Sequence, residues 1–176
     1  LEEALLSYDR AVAARPLYPE AHFNRGVTLE NLRRLDDALK AYDTALAQRP
    51  DLAEALSNRG TVLRGLKRFD DALQSYNRAL ALRPDLVPAL SNRGMILHEL
   101  KRFDEAVASC DLALAIDPNN VDALNNRGTT LQDLKRFDEA VANYERLLAV
   151  APNHPHAFSG YASSALWGFL DLKIGC

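Results

Sequence analysis

Apolar residues recur along this chain at the spacing of helices that are buried on one side only. At about 100° per residue, Leu56, Gly60 and Leu63 share one arc of a helix that begins near residue 53, and the opposite arc is mostly polar. A second amphipathic stretch begins near Asp70 and ends before Pro84. The pattern predicts a first helix A and a second helix B, and an all-α fold.

The same pair of helices returns every 34 residues. Three sets of residues keep this step: Pro16, Pro50, Pro84, Pro118 and Pro152; Gly26, Gly60, Gly94 and Gly128; Ala4, Ala38, Ala72, Ala106 and Ala140. The block at residues 66–70 also returns at 100–104 and 134–138. Such periodicity is typical of solenoids, in which each repeat buries its apolar face against its neighbours.

A period of 34 with small residues, an aromatic residue and proline at fixed places resembles the tetratricopeptide repeat. In the second full repeat these residues are Gly60, Ala72, Tyr76, Ala79 and Pro84. The resemblance implies a right-handed superhelical solenoid of antiparallel helix pairs, with A helices lining its concave wall. We expect one array over 1–176: the second helix of a partial repeat at 1–18, full repeats at 19–52, 53–86, 87–120 and 121–154, and a C-terminal capping helix and tail at 155–176.

Acidic and small residues stand where such helices need them. Gly60 and Ala72 are expected to let helices A and B approach closely, while Tyr76 fills the space towards neighbouring helices. Aspartates are expected to cap the helices and to complement the helix dipole: Asp51 and Asp85 for A helices, and Asp36, Asp70, Asp104 and Asp138 for B helices.

The sixth position of each full repeat, on the polar arc of helix A, is always asparagine: Asn24, Asn58, Asn92 and Asn126. An asparagine amide carries a donor and an acceptor, as a peptide unit does, so a column of them can hold an extended backbone whatever its side chains. Helices pack about 8–10 Å apart and an extended chain advances about 3.3 Å per residue, so four rungs would cover about ten ligand residues. The alternative is that these asparagines are simply solvated.

The other polar-arc positions differ between repeats and would set specificity. They are Glu20, Phe23, Val27, Glu30, Asn31, Glu54, Ser57, Thr61, Arg64, Gly65, Pro88, Ser91, Met95, His98, Glu99, Asp122, Asn125, Thr129, Gln132 and Asp133. Beside the asparagines, we expect a peptide to contact Phe23, Thr61, Arg64, Met95, His98, Thr129 and Gln132. Acidic side chains outnumber Arg64, the one full cation, which favours a neutral or basic partner, although acids near a helix start also stabilise the helix itself.

Chaperone-binding members of this family hold a C-terminal carboxylate with lysine and arginine on helix A. This chain has neither residue at the second, fifth or ninth repeat positions. We therefore expect no carboxylate clamp.

Arginine occupies the seventh repeat position, where the family usually has leucine: Arg25, Arg59, Arg93 and Arg127. The position lies on the packed arc, where an unpaired charge is costly. The 25th position, on helix B, is mostly acidic (Asp9, Asp43, Asp111 and Glu145), with Asn77 the exception. We expect a repeated ion pair between helices, with the acid supplied by the same repeat or by the preceding one.

Composition narrows the function by exclusion. The net charge is −3 and no run of Lys or Arg exceeds two residues, which argues against a nucleic-acid partner. No stretch approaches the roughly 18 apolar residues of a membrane span, so no membrane partner is expected. The two cysteines, Cys110 and Cys176, are too few for a disulfide framework, which favours a cytoplasmic location. The chain begins in mid-pattern without Met, which suggests a fragment.

We expect no catalytic residues, no metal and no cofactor. His154 and His156 are a weak metal cue, because no cysteine or regularly spaced histidine accompanies them. Cys110 stands where Tyr76 stands one repeat earlier, and we expect it to be a buried packing residue. The glycines follow the repeat, so they do not indicate a phosphate-binding loop.

The C-terminal segment leaves two questions open. Residues 152–162 resemble the last repeat of bacterial O-linked N-acetylglucosamine transferases, whose repeats carry a similar column of asparagines. This resemblance implies, as the alternative to a scaffold, the substrate-recognition arm of such an enzyme. The apolar residues that follow are expected to cover the last B helix, the alternative being a homodimer through the tail: Trp167, Phe169, Leu170, Leu172 and Ile174.

Overall fold

The computed structural model describes the backbone of residues 1–174 and the side chains of residues 1–169. Within them every element of regular secondary structure is an α-helix, which confirms the all-α prediction. The ten described helices are α1 (Glu2–Ala14), α2 (Pro19–Asn31), α3 (Leu35–Gln48), α4 (Ala53–Gly65), α5 (Phe69–Leu82), α6 (Val87–Glu99), α7 (Phe103–Ile116), α8 (Val121–Asp133), α9 (Phe137–Val150) and α10 (Ala157–Ile174). Even-numbered helices are A helices and odd-numbered helices are B helices.

The chain divides into two compact units. The first comprises Leu1–Pro84 with α1 to α5, and the second begins at Asp85 and contains α6 to α10. In each unit an A helix packs against the B helix that follows it and against the B helix that precedes it within the same unit. The prediction of one continuous array stays a prediction.

Glycine sets how closely the two helices of a pair approach. A Cβ atom on Gly60 would lie 2.7 Å from Cε1 of Tyr76, whose side chain is 0% exposed. The same relation holds for Gly26 with Tyr42, so the predicted close approach is confirmed. In the third full repeat the partner is the Sγ atom of Cys110, which is buried as predicted, and burial raises the pKa of this thiol to about 12.

Each turn from helix A to helix B uses a left-handed residue that is not glycine. The φ angles are 60° at Arg33, 58° at Lys67, 60° at Lys101 and 58° at Lys135. At the first of these turns, the amides of Arg33 and Arg34 donate to the carbonyls of Glu30 and Leu29. This is a Schellman arrangement, which satisfies the last carbonyls of the A helix.

The predicted aspartate caps were wrong. The residues at the cap of α3 and α5 are Arg34 and Arg68, and neither makes a side-chain cap bond. Asp36 and Asp70 lie one residue inside the first turn, where their charge still favours the positive end of the helix. The cap residues of α4 and α6 are leucines, so Asp51 and Asp85 do not cap these helices either. Side-chain capping is seen at α8, where Asn120 Oδ1 accepts from the amide of Ala123 at 2.9 Å.

The predicted inter-helix ion pair forms, and its acid comes from the preceding repeat. The Nε atom donates to a carboxylate at 2.7 Å from Arg25 to Asp9, at 2.6 Å from Arg59 to Asp43 and at 2.6 Å from Arg127 to Asp111. The fourth arginine, Arg93, instead donates to Ser109 Oγ at 2.9 Å, and burial lowers its pKa. The three pairs are partly solvated, since the arginine side chains are 19–27% exposed.

Helix α10 packs against α9 through small residues. Ala157, Gly160 and Ser164 are buried on this contact, whereas Trp167 and Phe169 are 55% and 57% exposed. Trp167 lines a pocket together with Phe137 at the start of α9, so the prediction that the apolar residues of this segment cover the last B helix stays a prediction. The side chains of Leu170, Leu172 and Ile174 lie outside the described residues. None of the described helices is both long enough and apolar enough to cross a bilayer.

Candidate functional site

The A helices present a packed arc and a polar arc, as their periodicity predicts. In α4 the packed arc is buried at Leu56, Gly60 and Leu63, while Thr61 and Arg64 on the opposite arc are half-buried. The fifth repeat position differs from the expectation, since Ser57 is 5% and Ser91 3% exposed. This position borders the neighbouring helices, so these two serines are not open to a ligand.

We name two surfaces. The first-unit face consists of Phe23, Asn24, Glu30, Asn58, Thr61 and Arg64 on α2 and α4. The second-unit face consists of Met95, His98, Glu99, Asn125, Asn126, Thr129 and Gln132 on α6 and α8, with Asn92 beside it on α6.

The four asparagines are not equivalent. Asn24 is exposed, and Asn58 and Asn92 are half-buried. Asn126 is 9% exposed, and its Nδ2 atom donates to the carbonyl of Ser91 on α6 at 3.1 Å. The amide nitrogen of Asn126 is thus committed between two helices, and a ladder of four equal rungs stays a prediction.

Tyr42 connects the core of the first unit to its polar face. Its hydroxyl donates to Glu30 Oε2 at 2.8 Å, and Asn58 also hydrogen-bonds this hydroxyl. The ring of Phe23 lies 6.0 Å from that of Tyr42. Burial raises the pKa of Glu30, opposed by the bond from Tyr42 and then by the positive charge of Arg64. The pKa of Tyr42 is raised in turn, first by burial and then by the charge of Glu30.

Tyr76 makes the equivalent connection in the following repeat. Its hydroxyl lies 3.2 Å from Thr61 Oγ1. Burial raises the pKa of Tyr76 to about 12, against the opposing effects of the Thr61 bond and the charge of Arg64. Sequence reasoning assigned these tyrosines to the core alone. The signal it missed is that a buried tyrosine needs a hydrogen-bond partner for its hydroxyl, and the nearest polar groups belong to helix A.

The second-unit face contains a pocket of about 250 Å³ between α6 and α8, which we call the Met95 pocket. Four of the expected contact residues line it: Met95, His98, Asn126 and Thr129. Glu99 and Asn125 complete its wall. The structure therefore brings together, in one concave place, residues that the sequence proposed from their arc alone.

A histidine–aspartate contact joins the two helices beside this pocket. His98 Nε2 lies 2.8 Å from Asp133 Oδ2, and the His98 ring lies 5.4 Å from the ring of Phe103. The side chain of His98 is 18% exposed. His98 is thus oriented by α8 and α7, and its ring forms a fixed section of the pocket wall.

A second pocket, of about 600 Å³, lies between α8, the start of α9 and α10. It is lined by Gln132, Asp133, Lys135, Phe137, Ser163 and Trp167. Gln132 is held in place, since its Nε2 donates to Gly160 O at 3.1 Å and its Oε1 accepts from Tyr144 at 2.9 Å. The sequence placed Gln132 and Asp133 together on the polar arc, but it did not bring Lys135, Phe137, Ser163 or Trp167 to them, because the path of α10 was not evident from its composition.

Two acids of the polar arcs are already paired within the first unit. Arg49 Nη1 donates to Glu20 at 2.7 Å, and Arg83 Nη1 donates to Glu54 at 2.6 Å. The pKa of Glu54 is lowered, first by a bond from its own backbone amide and also by Arg83. The negative charge offered to a ligand in the first unit is therefore smaller than the sequence alone suggested.

Within the described residues, no three His, Cys, Asp or Glu side chains lie close enough together to hold a metal ion. The rings of His154 and His156 lie 6.1 Å apart in an edge-on arrangement.

Family comparisons match almost the whole chain. Two models described as tetratricopeptide repeat match it, one at residues 1–53, 28–87 and 57–121 and the other at residues 97–163. No curated protein matches the sequence.

Solved structures share the fold. YrrB, described as a TPR protein with an unusual peptide-binding site, has 20% sequence identity and a TM-score of 0.79, covering 92% of this chain and 83% of YrrB. MamA (41-end) from Desulfovibrio magneticus RS-1 has 20% identity and a TM-score of 0.80, covering 88% of this chain and 87% of its own. The first TPR of Spaghetti (RPAP3), bound to the HSP90 peptide SRMEEVD, has 26% identity and a TM-score of 0.63, covering 65% of this chain and 93% of its own.

Proposed function

This chain belongs to the tetratricopeptide repeat family, and on that premise we propose that it is a non-catalytic scaffold whose A-helix faces bind an extended segment of another protein. Proteins of this family serve as scaffolds for protein–protein interaction. The observation that carries the proposal is the Met95 pocket, where four residues expected to contact a peptide line one concavity. Side-chain pockets on a polar face suit a ligand whose backbone is held by hydrogen bonds and whose side chains are selected individually.

The first-unit face supports the same proposal. Asn24 is exposed, and Asn58, Thr61 and Arg64 are half-buried, so each retains surface for a ligand. Exposed amide groups can pair with peptide groups of an extended chain. We propose that the partner segment is internal to its own chain, because no lysine or arginine stands at the positions that would clamp a terminal carboxylate.

A displayed library of random peptides, about twelve residues long, tests the proposal. We expect selection on the immobilised chain to enrich specific sequences, and Asn24→Ala with Asn58→Ala to weaken their binding about tenfold or more, since two hydrogen bonds contribute about 1 kcal/mol each. The matched control is Asn77→Ala, an exposed asparagine on α5. Equal loss of binding in the control, or no enrichment at all, refutes the proposal.

Finer points about the partner are proposals as well. We propose a neutral to basic segment and a cytoplasmic location, and we retain a homodimer through α10 because Phe158, Trp167 and Phe169 are more than half exposed. Light scattering after size exclusion at several concentrations tests the dimer, and a constant monomer mass excludes it. The relation to O-linked N-acetylglucosamine transferase arms stays a prediction from residues 152–162.

A further inference from the structure

We propose that the Met95 pocket takes a lysine side chain of the bound segment, an inference that rests on the proposed peptide-binding function and names its specificity. The pocket is lined by Met95, His98, Glu99, Asn125, Asn126 and Thr129. No lysine or arginine of the described residues lines it.

Three polar groups of the pocket wall already have hydrogen-bond partners inside the protein. Asn126 Nδ2 donates to the Ser91 carbonyl at 3.1 Å, and Thr129 Oγ1 donates to the Asn125 carbonyl at 3.1 Å. His98 Nε2 is directed at Asp133, 2.8 Å away. The amide oxygen of Asn126 and the hydroxyl oxygen of Thr129 can still accept hydrogen bonds from a ligand.

Two further groups add hydrogen-bond acceptors to the pocket wall. Glu99 is exposed at the end of α6 and adds a carboxylate, which accepts hydrogen bonds and carries negative charge. Asn125 Oδ1 is buried and has no hydrogen-bond partner among the described residues. A buried acceptor without a donor is costly, and rotation of the Asn125 side chain, which lines the pocket, would bring this oxygen to a donor on the ligand.

An ammonium group matches this wall better than other side-chain ends. It has three rotatable donors and no acceptor, whereas hydroxyl and amide groups would set their own oxygens against those of the wall. Met95 offers an apolar surface to the methylene stem of a lysine. Arginine is a poorer match, since its planar fork is suited to one coplanar carboxylate and the acceptors here are spread over two helices.

The displayed peptide library described above supplies the test. We expect binders selected on the parent chain to share a lysine at one aligned position, and this preference to disappear on Glu99→Gln and to weaken on Thr129→Val. Glu145→Gln is the matched control, because it removes the same charge from an exposed site on α9 outside the pocket. A synthetic binder with norleucine in place of its lysine should bind the parent at least tenfold more weakly than the lysine peptide does. The affinity of the norleucine peptide should fall less than threefold on Glu99→Gln.

The two proposals fail in distinguishable ways. If no peptide is enriched, the peptide-binding function fails and the lysine assignment fails with it. If peptides are enriched without a shared lysine, or with arginine accepted equally, only the lysine assignment is overturned. A lysine preference that survives Glu99→Gln also overturns it. Far-ultraviolet circular dichroism of each variant shows whether its helices are intact.

Discussion

The contact between Gly60 and Tyr76 should be one of the least tolerant places in the first unit. A methyl group on Gly60 would lie 2.7 Å from Cε1 and 2.8 Å from Cζ of the tyrosine ring. The ring cannot easily move away, because Tyr76 is 0% exposed and its hydroxyl lies 3.2 Å from Thr61 Oγ1. Gly60→Ala must therefore push α4 and α5 apart or displace the ring.

Two opposing effects decide the magnitude. Overpacking a closed core costs about 1–3 kcal/mol, and alanine gains about 1 kcal/mol over glycine in a helix interior. The methyl carbon would be well inside van der Waals contact with two ring atoms, so we take the upper end of the overpacking range. We expect a net loss of about 1–2 kcal/mol.

Urea denaturation followed by circular dichroism measures this loss. With a slope of about 2 kcal/mol per molar urea, the midpoint should fall by about 0.5–1 M. The control is Gly168→Ala in α10, where the nearest atoms to a new Cβ are Phe137 Cβ at 3.5 Å and Asp138 Oδ1 at 3.6 Å. The stability of this variant should rise by up to about 1 kcal/mol, which the fluorescence of the adjacent Trp167 can follow during denaturation. If Gly60→Ala is as stabilising as Gly168→Ala, the close approach is not required.

Three further changes test other regions of the structure. Lys67→Gly relieves the strain of a φ of 58°, and urea denaturation should show a gain in stability of about 0.5 kcal/mol. Removing left-handed strain of about 1 kcal/mol is partly offset by the greater freedom of glycine in the unfolded chain. A loss of stability would contradict the strain. Glu30→Gln should be more stable than the parent near neutral pH, and this difference should vanish in acid. Because the pKa of Glu30 is raised in the folded state, the parent is most stable when Glu30 is protonated at low pH, and it loses this stability as the pH rises through the folded-state pKa. Thermal melts across pH measure this, and a constant difference would refute it. Arg59→Met removes a partly exposed pair with Asp43 and a bond from Nη1 to Ser75 Oγ at 2.6 Å, and it should cost about 1–2 kcal/mol, less at high salt. A larger loss in urea would show that the arginine is a required core group.

The features of the fold that follow from repetition could be predicted from the sequence. Gly60 returns at a step of 34 residues, and so does Tyr76 except where Cys110 replaces it, so their contact follows from one packing problem solved several times. The existence of repeated arginine–aspartate pairs between helices could be predicted for the same reason. Which repeat supplies the acid could not be predicted, because both candidates lie at the same periodic position.

The local details that the sequence did not predict depend on the geometry of single residues. No glycine marks the left-handed turn, so Lys67 gave no signal for it. Aspartates near a helix start suit both the cap and the first turn, and Asp70 lies two residues after the cap residue Arg68. Asn126 looks like the other asparagines in the sequence, yet its amide is bound to Ser91, since that choice depends on how α6 packs against α8.

The third full repeat shows how a core substitution affects the second-unit face. Tyr42 and Tyr144 donate their hydroxyls to Glu30 and Gln132, at 2.8 and 2.9 Å. His98 occupies the same repeat position as these acceptors, but its repeat has Cys110 in place of the tyrosine, and His98 contacts Asp133 instead.

We therefore expect Cys110→Tyr to be accommodated beside Gly94, as Tyr76 is beside Gly60, and to direct a hydroxyl at the His98 ring. That hydroxyl should compete with Asp133, lengthening the 2.8 Å contact beyond hydrogen-bond range and reshaping the Met95 pocket. A crystal structure of the variant measures the distance, and Cys110→Ser, which is too short to reach His98, is the control. If the new ring packs as Tyr76 does while His98 stays on Asp133, the core residue does not govern the orientation of His98, and α8 alone holds it.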